Sequence, residues 1–123
     1  MKILLVDDSK MMRNLQRRIL GELPNAEFAE ASDGVEALNL VAGGAAFNLM
    51  VVDWNMPNMD GLTFVTRVRQ ADRTTPIVMC TTEAEKSRII DAIKAGVNNY
   101  VVKPFTHESL MDKVTVTLRK VAA

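Results

Sequence analysis

Four short aliphatic runs, each closed by a reactive polar side chain, constrain this chain more than any other feature. Ile3-Leu4-Leu5-Val6 leads into Asp7-Asp8, and Leu49-Met50-Val51-Val52 leads into Asp53. Ile77-Val78-Met79-Cys80 leads into Thr81, and Tyr100-Val101-Val102 leads into Lys103. Each run is short, rich in β-branched residues and bounded by polar or turn residues, the pattern of a buried parallel strand. In an open α/β sheet, ligands bind beyond the carboxyl ends of the strands. Three carboxylates, a hydroxyl and an ammonium are therefore expected at one end of one sheet. That grouping suits a divalent cation and a phosphoryl group.

Helix signals fill the gaps between these runs. Ser9 is placed to cap a helix whose apolar positions are Met11, Leu15 and Ile19. Pro24-Asn25 marks a turn, and residues 26–31 read as a weaker strand at a sheet edge. Asp33, with Glu36 three residues on, signals a helix start, and Gly43-Gly44 ends that helix. Asp60 opens a helix carrying Leu62, Val65 and Val68. A further helix is expected over 83–95, with Ile90 and Ile93 as its inner stripe and Gly96 as its stop. Thr106 caps a last helix with Leu110, Val114, Leu118 and Val121 on one face. Five strands alternating with five helices predict an α/β fold: a doubly wound parallel sheet covered on both faces. The 123 residues fit a single domain spanning 1–123.

Composition removes several function classes. Lys plus Arg equals Asp plus Glu at 15 each, which argues against a nucleic-acid binder working through a basic surface. No stretch is long enough to span a membrane, and the first apolar run is too short for a signal peptide. The one cysteine, Cys80, fits a reducing, cytoplasmic compartment and reads as a small core residue. A cytosolic monomer is expected. His107 is the only histidine, so a zinc cluster or a histidine-based triad has no material, and it is expected on the surface. No glycine-rich nucleotide loop is present.

The acidic group carries the functional signal. Taken singly, a strand-end aspartate often caps a helix or solvates a loop. Together, at one sheet end, these residues favour a site. Two carboxylates about 4 Å apart repel by roughly 4 kcal/mol at an effective dielectric near 20. A cation joining them relieves that cost, and oxygen-only donors suit Mg²⁺.

The set Asp7-Asp8, the stretch from Val52 to Gly61, Thr81 and Val102-Lys103-Pro104-Phe105 resembles the motifs of bacterial response-regulator receiver domains. The resemblance covers the whole chain. It implies a flavodoxin-like receiver fold with strand order 2-1-3-4-5. It implies that Asp53 accepts a phosphoryl group from a kinase phosphohistidine. Asp8, Asp53 and the Asn55 carbonyl would hold Mg²⁺, with Asp7 acting through water. Lys103 would pair with the phosphoryl oxygens, Thr81 would move to bind one of them, and Tyr100 would turn inward as it does. A cis Lys103-Pro104 peptide is implied as well. Asn55 and Glu83 would tune dephosphorylation, and Thr82 stands where many relatives carry a smaller residue.

The resemblance turns a mixed apolar and basic surface into an expected partner face: Lys86, Ile89, Tyr100, Lys113 and Val116. With no appended domain, output is expected from the domain's own surface. The implied partners are a sensor histidine kinase of chemotaxis type, a flagellar motor switch protein and a phosphatase. Nucleic acid and membrane are not among them. The resemblance implies a signalling phosphoacceptor rather than an enzyme. The rivals are a phosphorelay intermediate, a non-phosphorylated interaction module and an aspartyl-nucleophile phosphohydrolase. The last commonly needs a second acid two residues after the nucleophile, where this chain has Asn55.

Overall fold

The computed structural model describes residues 1–82 and 86–122. Strands β1 (Lys2–Val6), β2 (Glu27–Ala31), β3 (Leu49–Asp53), β4 (Ile77–Thr81) and β5 (Asn99–Val102) form one parallel sheet ordered β2-β1-β3-β4-β5. They alternate with α1 (Lys10–Leu20), α2 (Gly34–Ala42), α3 (Gly61–Val68), α4 (Lys86–Ala95) and α5 (His107–Ala122). This is the doubly wound topology that the sequence predicts. Every residue of β3 and β4 is buried, which is why those strands read as unbroken aliphatic runs.

The period of two along each strand divides the core. Leu4, Val6, Met50, Val52, Ile77 and Met79 pack with Phe64, Val65 and Ala92 on one face. Ile3, Leu5, Leu49, Val51, Val78 and Cys80 pack with Ile19, Leu20, Leu110 and Val114 on the other. Asp7 continues the Ile3–Leu5 set, Asp53 the Leu49–Val51 set, and Lys103 follows Val101. Strand alternation thus aims all three reactive side chains to the α1/α5 side of the sheet.

The helix starts are capped as their sequences require. Ser9, Asp33 and Asp60 accept hydrogen bonds from the backbone N–H of Met12 (3.2 Å), Glu36 (2.8 Å) and Thr63 (2.8 Å). Thr106 and Ser109 cap α5 reciprocally, at 2.9 and 3.0 Å. Gly96, at φ +113°, stops α4 in the conformation that glycine permits. His107 is half exposed and meets Glu22, and Cys80 is buried. Among the described residues, no helix is long and apolar enough to cross a membrane.

Three helix faces differ from expectation. On α1, Met11 is 82% exposed and Leu15 37% exposed, while Gln16, Ile19 and Leu20 are buried. The i, i+4 spacing of Met11, Leu15 and Ile19 drifts round the helix, and only its last member reaches the sheet. On α4, Ile90 and Ile93 are 40% and 49% exposed, and Ala92 is buried in their place. The sheet accepts Ala92 and leaves Ile90 and Ile93 outside. On α5, Val121 is 47% exposed, and Thr117 occupies the inner position with its hydroxyl on the Lys113 carbonyl at 2.7 Å.

Candidate functional site

The carboxyl ends of β1, β3 and β5 deliver Asp7, Asp53 and Lys103 to one point. Lys103 Nζ lies 2.9 Å from Asp7 Oδ2 and 3.1 Å from Asp53 Oδ1. One carboxylate oxygen from each of Asp7, Asp8 and Asp53 falls within 4.8 Å of the others. Asp7 and Asp53 are buried, whereas Asp8 is exposed and opens the cluster to solvent. Asp7 Oδ1 also accepts the Ser9 N–H at 2.9 Å, so Asp7 is held at both oxygens.

The electrostatics follow from the count of charges. Burial raises the Asp53 carboxyl above its ordinary range, and the charge of Asp7 adds to this, against the pull of Lys103. Burial works against the Lys103 ammonium, but hydrogen bonds and charge from Asp7 and Asp53 outweigh it and hold its pKa above the ordinary value. One ammonium stands against three carboxylates. The donor set is all oxygen, crowded and short of positive charge, and it fits a hard divalent cation such as Mg²⁺.

Thr81 is buried at the end of β4, next to Asp53's neighbour Cys80 in the sheet register, and its carbonyl accepts the Lys103 N–H at 2.8 Å. The Lys103-Pro104 peptide is cis. Asn55 and Thr82 are exposed on the loops that follow β3 and β4. Glu83 lies outside the described residues. Tyr100 is partly buried with Lys113 Nζ 5.0 Å from its ring centroid. Lys86 is exposed, and Ile89, Lys113 and Val116 are partly buried.

Sequence reasoning missed several residues that shape the site. Gly61 N–H donates to the Trp54 carbonyl at 2.8 Å, and a Cβ on Gly61 would overlap the Asp53 carbonyl oxygen. The Asp-Gly pair before an apolar helical stretch was the available signal for this close approach. Asn58, at φ +68°, donates to Asp33 Oδ2 at 2.7 Å and ties the loop after β3 to the cap of α2. Arg13 donates to the Asp7 carbonyl and to Glu30, and no local spacing announces it because Glu30 comes from β2. Gln16 sits in an otherwise apolar face, with Nε2 3.8 Å from Cys80 Sγ and Oε1 without a partner among the described residues.

The profile described as "Response regulator receiver domain" matches residues 3–115. Chemotaxis protein CheY1 of Helicobacter pylori is 46% identical over 120 residues, covering 96% of this chain and 97% of that protein. Chemotaxis protein CheY of Pseudomonas aeruginosa is 43% identical over 123 residues, covering 98% of each. The solved structure of Vibrio cholerae CheY4 superposes with a TM-score of 0.86 at 36% identity, covering 94% of this chain and 97% of that one.

Proposed function

Since this chain belongs to the response regulator receiver domain family and is closely related to chemotaxis CheY regulators, we propose that Asp53 accepts a phosphoryl group from the phosphohistidine of a histidine kinase. The observation that carries this reading is the buried Asp53 carboxylate, 3.1 Å from Lys103 Nζ inside a three-carboxylate cluster. Asp8, Asp53 and the Asn55 backbone carbonyl would hold Mg²⁺, with Asp7 acting through water. The cation supplies charge neutralisation for the transferring group.

The residues do the rest by position. An Asp53 oxygen attacks phosphorus as the bond to the donor imidazole breaks, and the imidazole nitrogen keeps that electron pair and takes up a proton. A carboxylate is an adequate nucleophile because the phosphoryl group is already activated. Lys103, poised between Asp7 and Asp53, turns its charge to the phosphoryl oxygens. The Thr81 hydroxyl binds another of them, and Tyr100 follows inward. Asn55, beside Asp53 on an exposed loop, tunes the attack of water on the acyl phosphate.

Output passes to the face of Lys86, Ile89, Tyr100, Lys113 and Val116. Helical spacing puts Lys86, Ile89, Ile90 and Ile93 on one flank of α4, while Arg88 on the opposite flank lies 5.5 Å from the Trp54 ring centroid. The exposed Ile90, Ile93 and Val102 supply apolar surface beside that face. Moving a population from 1:99 to 99:1 needs about 5.5 kcal/mol, and charge-assisted hydrogen bonds contribute about 1.5–3 kcal/mol each. The partner completes the switch, and this partner is read as a flagellar motor switch protein. The signal then runs through the cytoplasm from a chemotaxis-type kinase.

Acetyl phosphate with Mg²⁺ is the direct test. One acid-stable, base-labile phosphoryl group should form and should disappear in Asp53→Ala. Full labelling of that variant would place the acceptor elsewhere. With beryllofluoride as mimic, Ile89→Asp should weaken capture of the motor-switch peptide and leave Mg²⁺ affinity intact.

A further inference from the structure

We propose that Arg13 is a positioning residue for the metal cluster, acting through the Asp7–Asp8 peptide; this rests on the reading that Asp7, Asp8 and Asp53 hold Mg²⁺. Asp8 joins the cluster from an exposed position, so the direction of its carboxylate depends on the backbone that carries it. That backbone begins with the planar peptide linking Asp7 to Asp8, and its orientation is fixed once its carbonyl is fixed. Arg13 Nη1 donates to that carbonyl.

The arginine is itself held. Its Nε donates to Glu30 Oε1 at 2.8 Å, and Glu30 Oε2 accepts from Arg17 Nη1 at 2.6 Å. The Arg13 side chain is 14% exposed, against 48% for Arg17. A guanidinium is a rigid fork, so fixing Nε on β2 fixes where Nη1 points. The Asp7 N–H already binds the Ala31 carbonyl at 3.1 Å, and Asp7 Oδ1 binds the Ser9 N–H at 2.9 Å. Arg13 adds a constraint at the carbonyl of the turn that presents Asp8. Outer partners of this kind typically change metal affinity by about 10–100-fold.

A purely structural role, stapling α1 to β2, makes a different prediction. Arg17 shares the same carboxylate without touching the Asp7 carbonyl, so it serves as the control. Charge gives a second discriminator. Removing a cation near a cation site tightens Mg²⁺ binding by Coulomb's law alone, whereas losing the positioning contact weakens it.

The experiment titrates Mg²⁺ into wild type, Arg13→Gln, Arg13→Lys and Arg17→Gln, followed by Trp54 fluorescence. Amide exchange at Asp8 and Ser9 is measured in the metal-free proteins. Arg13→Gln should bind Mg²⁺ about tenfold more weakly and exchange faster at Asp8 before any metal is added. Arg13→Lys keeps the charge and the aliphatic stem but lacks the fork, so it should also weaken. It decides the matter if Arg13→Gln does not fold. Arg17→Gln should match wild type. Unchanged or tightened binding in the Arg13 variants, or equal weakening in Arg17→Gln, overturns the proposal. A wild-type chain with no Mg²⁺ response overturns the metal reading beneath it.

Discussion

At the scale of the residue, Asp53 and Asp72 show how one side chain serves two ends. Burial opposes ionisation of Asp72, but hydrogen bonds from Thr75 and Thr74 bring its carboxyl down to about 2. Asp72 is a satisfied turn former. Asp53 is held in the opposite direction, by burial first and by Asp7 second. A carboxyl raised on folding costs stability when ionised. Between its unfolded pKa, about 3.9, and its higher folded value, the native state binds the extra proton, so stability falls as pH rises through that window. Asp53→Asn removes this ionisation. In metal-free buffer the variant should melt at a higher temperature than wild type at neutral pH, and the gap should close below about pH 4. Melting curves across that range check it; a gap that persists in acid, or a variant less stable at neutral pH, would show that the Lys103 contact dominates instead. The reactive residues were legible because each ends a strand. Arg13 was not, because its partner Glu30 comes from β2, and Gly61 was announced only by the Asp60-Gly61 pair that precedes its helix.

At the scale of the element, α4 shows where pattern reading stops. Its sequence holds two interleaved stripes with helical spacing, and hydrophobicity alone selects the isoleucines. The structure selects Ala92, fully packed, and leaves Ile90 and Ile93 half exposed. The choice belongs to the space between α4 and the sheet, which one helix cannot encode. Ile93→Ser should therefore change stability by only about 0.5 kcal/mol, as surface substitutions do. Ala92→Leu should cost about 1–3 kcal/mol through overpacking. Urea unfolding of the two variants gives the comparison, and a larger loss for Ile93→Ser would return the isoleucines to the core. The same limit applies to α1, where Met11 and Leu15 mimic a core stripe.

At the scale of the whole molecule, the sheet order was legible through resemblance and the strands through their aliphatic runs. Parity then did what neither could do alone: it set Asp7, Asp53 and Lys103 on one side of the sheet. Just beneath them the α1/α5 core contains Cys80, whose thiol burial pushes up to about 12, and Gln16, fully buried with Oε1 unpartnered among the described residues. A buried polar group without a partner costs about 1–3 kcal/mol, so Gln16→Leu should raise the urea midpoint by a corresponding amount without changing the slope. An unchanged or lowered midpoint would mean that the amide is better satisfied than its contacts indicate. Proteins of this size hold only about 5–15 kcal/mol in reserve. One side chain therefore sets aside a sizeable share of this chain's tolerance for further mutation. In a Gln16→Leu background, a second core lesion on the opposite sheet face, such as Val68→Ala, should stay folded at temperatures where the same lesion alone does not.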